Sequence, residues 1–302
     1  MENIKKKIAI NNLINSIFLI VGLLSTFIGL FVLFILFVDL FTDGYPRLSY
    51  KFFTSFPSRN PSEAGILSAW VGTFFLMIVT GIFSIPLGIS AGIYLEEYAP
   101  KNWLTNIIEI NIANLAGVPS IVYGLLALGV FVYFFKFGES ILTGGLTLSL
   151  LILPMIIMAT REAIRAIPDS IREASYAMGA TKWQTVKWHI LPYSIGGILT
   201  GIIIGLSRAI GETAPIITVG ALTFIAFLPT SPLSGEFPFI SFNWLFDPFT
   251  AMPIQIFNWV SRPQAEFHVN AAAAGIVLLI MTLIMNGLAI YIRHRFRKKI
   301  KW

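Results

Sequence analysis

Two opposite charges stand inside an apolar run. Arg208 and Glu212 fall in the stretch RAIGETAP (208–215), within a hydrophobic block over 193–227. An ionisable side chain inside a span is costly and faces a bundle interior or an aqueous cavity, which makes it a candidate functional group. Four residues apart on a helix, the two share a face and can pair. They lie about 15–19 residues from the basic end of the block, about 22–29 Å at helical rise, deep in a membrane. Two roles fit. In one, Arg208 receives an oxyanion and Glu212 holds Arg208 when the path is empty. In the other, a static ion pair fixes helix packing. Arginine before glutamate is the less favoured order on a helix, so pairing alone explains them poorly. Gly211 and Pro215 loosen the backbone there, and Thr213 is placed to satisfy freed backbone groups.

A second candidate surrounds Pro119, which with Gly117 interrupts the apolar block 104–135. A half-helix end inside a membrane lines a pathway in many transporters, and Ser120 and Tyr123 would offer hydroxyls to an oxyanion. A packing kink is the alternative. Glu109 and Asp39 sit near block ends and read as interfacial. The chain has no cysteine, and its histidines are His189, His268 and His294, all outside the apolar blocks. Thiolate chemistry is excluded, no metal-ligand spacing occurs, and a buried Ser/His hydrolase is hard to build.

The elements that must position these groups are membrane helices. Of 302 residues, 56% are hydrophobic and 12% are charged, about half the charge of a soluble domain. Six blocks reach spanning length: 13–40, 66–94 with Pro86, the interrupted 104–135, 141–160 with Pro154, 193–227 and 269–292. Alternating strands are absent, so the expected fold is an all-α integral membrane bundle of six transmembrane helices. The first block is too long for a cleaved signal peptide. Lysine and arginine concentrate in 5–7, 101, 161–187 and 293–301, against Arg47, Lys51, Arg59, Lys136 and Arg262 elsewhere. The richer set faces the cytoplasm, which puts both termini inside. The chain divides into 1–64 (tail, first span and outer loop), a core over 65–292 and a basic tail over 293–302. The outer segment 228–268, rich in proline and aromatic residues, is expected to be partly buried.

One polar stretch joins the fourth and fifth blocks. Ser170 to Glu173 reads as a capping box and Gly179 as a left-handed helix stop. Thr181 to Gln184 reads as a second box, with Pro192 starting the next span. The expected product is a helix–turn–helix hairpin at the cytoplasmic surface, carrying Tyr176, Trp183, Trp188, Lys182 and Lys187. It suits a membrane-surface loop or a docking element for a cytoplasmic partner. A DNA-reading helix-turn-helix is disfavoured, because both ends are tethered to spans.

Glu173-Ala174-Ser175, then Gly179, then Ile190-Leu191-Pro192 resembles the EAA motif of bacterial ABC importer permeases. Ser175 stands where a second alanine is usual, and His189 where an aliphatic residue is usual. RAIGETAP and AGVPSIVYGL (116–125) are similar to the PstA-type permeases of phosphate importers, and with the hairpin the likeness covers about 62–293. The resemblance implies a type I, MetI-like architecture in the bacterial cytoplasmic membrane. It implies a coupling helix that meets an ATPase through Glu173, Ala174, Gly179, Ala180, Thr181, Trp183, Leu191 and Pro192. It implies a PstC-type sister permease, an ATPase dimer, an extracytoplasmic phosphate-binding protein, and phosphate as cargo in a lipid bilayer, with no nucleic acid. This chain carries no P-loop motif, so no cofactor is expected on it, and ATP and magnesium would serve the ATPase. Arg208 alone would equally admit sulfate, molybdate or phosphonate. A membrane scaffold reporting phosphate supply to a sensor kinase is a further reading.

Overall fold

The computed structural model describes residues 2–233, 239 and 241–297. The regular elements among them are helical. α1 (Glu2–Gly44) precedes a short α2 (Tyr50–Thr54) and the long α3 (Leu67–Ile93). α4 (Trp103–Leu115) and α5 (Ser120–Ala127) flank Pro119, and α6 (Ile141–Arg165) crosses the bundle centre. α7 (Asp169–Ala177) and α8 (Lys182–Thr185) form the hairpin. α9 (Leu191–Gly211), α10 (Ala214–Thr218), α11 (Met252–Val260) and α12 (Ala265–Arg297) complete the chain.

Among the described residues, five helices are long and apolar enough to span a membrane. The sixth expected span is a pair, Trp103–Leu115 and Ser120–Phe134, bent by 106°. Pro119 is the cause: it is extended, with ψ at 135°, and cannot donate to the preceding turn. Residues 104–135 are therefore two arms rather than one rod.

α6 is the axis, with 67% of its apolar window buried, against none for α1. Lipid gives helices no hydrophobic drive to associate, so close approach must come from small residues. A side chain at Gly145 of α6 would collide with Val79 of α3. A side chain at Gly201 of α9 would collide with Ala159 of α6. α1 touches the rest mainly near its C-terminal end, where Gly44 seats against Ala272 and Ala273 of α12.

The block over 193–227 does not form one span. α9 ends at Gly211, the backbone turns extended at Glu212 (ψ 133°), and α10 is one short turn. Beyond it the chain is irregular, yet the segment before α12 is partly buried as expected: Trp244, Phe249, Met252 and Trp259 lie in the core. Met252 N–H donates to Thr73 Oγ1 on α3 at 2.8 Å. Residues 234–238 and 240 of this segment, and 298–302 of the basic tail, lie outside the described residues.

Candidate functional site

α9 carries Arg208 in its last turn, and Glu212 is the residue that ends the helix. There the cation complements the partial negative charge of the helix end, which answers the unfavourable order read from sequence. Arg208 Nε donates to Glu212 Oε1 at 3.2 Å, and the side chains are 34% and 18% exposed. Nη1 reaches Met155 Sδ of α6 at 3.6 Å. Nη2 has no hydrogen-bond partner among the described residues. The pairing is one-pronged and leaves donors open, which suits an anion receptor better than a packing clamp. Glu212 also lines a void of about 10 Å³ with Thr73, Leu148 and Pro253. That void has room for a water but not for an oxyanion such as phosphate.

Thr213 departs from its expected role. It precedes α10, but its side chain caps nothing. Its carbonyl instead accepts from Ile217 N–H.

The arms of the broken span meet this corner. Tyr123 is buried, and its hydroxyl donates to Leu115 O, at the end of α4, at 2.7 Å. Its one proton goes to the backbone, so Tyr123 braces the bend instead of donating to an anion. Ser120 is half-buried and its hydroxyl has no described partner. Gly124 packs on α10: a side chain there would run into Thr218 and lie 2.7 Å from Pro215 O. The 106° bend thus lays α5 against the break that follows Glu212. Ser207 Oγ lies 2.6 Å from Asn286 Oδ1, a polar link from α9 to α12 that the sequence did not suggest.

The hairpin forms with one correction. Ser170 is not a cap, and the first capping box is absent. Pro168 is the extended residue before α7, so the helix has begun at Asp169, and Ser170 already lies inside it. Gly179 is left-handed at φ +82°. Its N–H reaches Tyr176 O, and Ala180 N–H reaches Ser175 O, the paired bonds of a Schellman stop. The box from Thr181 to Gln184 is present in both directions. Ser175 Oγ and Thr185 Oγ1 lie 2.9 Å apart in the buried angle between the two helices. Ser175 therefore has a structural use that alanine would lack.

Glu173, Ala174, Gly179, Thr181 and Trp183 are exposed and Ala180 is half-buried. Leu191 and Pro192 are not on the hairpin tip. Both are half-buried in a continuous helix over Lys182–Gly211, where Leu191 packs on the core. Pro192 does not start a new element, because a π turn over Val186–Ile190 widens the helix just ahead of it. That removes the clash a proline ring makes with the carbonyl four residues back.

The hairpin is tied down by charges that the sequence reading counted only for orientation. Arg172 of α7 donates from Nε and Nη2 to Glu97 Oε1, at 3.0 and 2.8 Å. It also donates to Ile167 O, Ile164 O and Asp169 Oδ1. All five N–H groups are used. The detectable signal was Glu96-Glu97 closing one apolar block at the same membrane level as the arginines closing another.

Residues 84–298 match the family described as "Binding-protein-dependent transport system inner membrane component". The phosphate transport system permease protein PstA of Yersinia pestis is 34% identical over 308 residues, covering 99% of this chain and 95% of that protein. Two solved structures share the fold. The bacterial alginate ABC transporter has TM-score 0.65 at 15% identity, over 92% of this chain and 94% of that one. The inward-facing MetNI methionine transporter has TM-score 0.57 at 18% identity, over 74% and 93%. Helical spans around a central α6, a polar hairpin between two of them and a family match over most of the length agree: this chain belongs to the binding-protein-dependent transport system inner membrane components.

Proposed function

We propose that the chain is a permease subunit of an ATP-driven importer that carries inorganic phosphate into the cell. The observation that carries the reading is Arg208, an intramembrane guanidinium with open donors and a single tether to Glu212. A cation held this way gives up its carboxylate to an incoming oxyanion and takes it back when the anion leaves. The PstA relative supplies the choice of phosphate among oxyanions.

The exposed hairpin is the contact for a separate ATPase dimer, which binds ATP and magnesium; this chain holds neither. A PstC-type sister permease completes the pathway, and an extracytoplasmic phosphate-binding protein delivers the cargo. Both termini and the hairpin face the cytoplasm, as the lysine and arginine bias requires.

The test is ATP-driven uptake of radiolabelled phosphate into proteoliposomes holding this chain, its sister permease, the ATPase and the binding protein. Uptake that resists competition by sulfate and molybdate supports phosphate as cargo. ATP hydrolysis with no phosphate movement keeps the hairpin assignment and discards the cargo. Inhibition by sulfate or molybdate reassigns it to another oxyanion.

A further inference from the structure

The ion cluster beneath the hairpin reaches further than the hairpin. Glu96 and Glu97 are adjacent on a π turn (Tyr94–Tyr98) that extends α3. Glu97 takes Arg172 from the hairpin side. Glu96 takes Arg165 through two bonds, at 3.1 and 2.9 Å, and lies 3.5 Å from Nε of Arg161. Arg161 is 2% exposed, and its Nη2 lies 2.6 Å from Glu109 on α4. A charge this buried is tolerated only where its partners are held in place. Six residues beyond Glu109, α4 ends at Leu115, whose carbonyl accepts the Tyr123 hydroxyl. Gly124, next to Tyr123, packs on Pro215 and Thr218 of α10, just past Glu212, the partner of Arg208.

We propose that α4 is the rod that carries hairpin displacement to the anion site. Its midpoint is gripped by Arg161 through Glu109, and its far end by Tyr123 through Leu115. Arg161, Glu109 and Tyr123 are positioning residues: they act on Arg208 through the placement of α4 and α5 and touch no substrate. The bend at Pro119 gives the rod a corner, so that movement along α4 becomes tilt of α5 against α10. This rests on the hairpin being the ATPase contact.

The closing experiment uses the assembled complex. Glu109→Gln keeps the shape and removes the charge. Phosphate uptake is expected to fall about tenfold, the upper range for coupling mutations, while binding-protein-stimulated ATP hydrolysis stays within about twofold. An unchanged ratio of ATP hydrolysed to phosphate moved overturns the proposal. A second measurement needs no change to the ion cluster. The chain has no cysteine, so Ile110→Cys on α4 and Lys187→Cys beyond α8 accept spin labels cleanly. The α4–hairpin distance is expected to hold within about 2 Å between nucleotide-free and ATP-bound complexes, the scale of small helix shifts. A change of several ångströms means that the two move apart and sinks the rod. Failure of the hairpin reading would show separately, as full ATPase co-purification with Gly179→Val.

Discussion

Arg208 Nε meets Glu212 Oε1 at 3.2 Å across the end of α9, the carboxylate standing one residue past the last helical turn. An arginine with one ionic tether, a weak contact to Met155 Sδ and open donors differs in kind from Arg172, whose five donors are all taken. The first has donors left for a new partner and the second has none.

Arg208→Ala is therefore expected to cut phosphate uptake by roughly tenfold to a hundredfold, the range for losing one or two charged hydrogen bonds. Complex assembly should be unaffected, as read by co-purification. Normal uptake would end the relay reading.

The double variant Arg208→Ala with Glu212→Ala separates relay from packing. A static pair predicts that removing the stranded carboxylate restores uptake above Arg208→Ala alone. A receptor predicts no recovery, because no cation remains to meet the anion. Uptake rates of the three variants decide it.

Gly179→Val should detach the ATPase. Open space surrounds Gly179, so the penalty is conformational: the left-handed backbone costs an ordinary residue about 1–2 kcal/mol, and a branched one more. Gly179→Asn should retain the ATPase, since asparagine accepts that conformation. Equal ATPase recovery from both variants would contradict the role of the turn.

Ser175→Ala restores the commoner alanine of the motif and removes the hydroxyl pair with Thr185. The expected cost is about 1 kcal/mol, seen as faster amide exchange across α7 and α8. Combined with Thr185→Val the loss should be less than additive, because the two share one hydrogen bond.

Gly124→Ala should lower uptake while the hairpin still binds the ATPase. The added methyl collides with Thr218 and crowds Pro215, pushing α5 away from the break after Glu212. Wild-type uptake would show that α5 and α10 need not touch.

Local rules reached some of this from sequence alone. Gly179 and the box at Thr181 were legible because their signals lie within four residues. Ser170 misled, because the same pattern is silent when a preceding proline already fixes the helix start. Apolar composition located α3, α6 and α12, but it does not record backbone direction. So 193–227 read as one span, although Glu212 and Thr213 end the helix. The ion cluster was only half legible: Glu96-Glu97 mark the right membrane level, but Glu97 and Arg172 are 75 residues apart, and only the packing of α3 on α6 brings them together.

The termination of α9 at Gly211 has a kinetic meaning. On the proposed reading, an oxyanion on Arg208 would sit beside the carbonyl end of a helix and a carboxylate, both of which repel it. One attraction against two repulsions makes a shallow well. On the proposed reading, dwell time there would be short, and the site would favour throughput over retention.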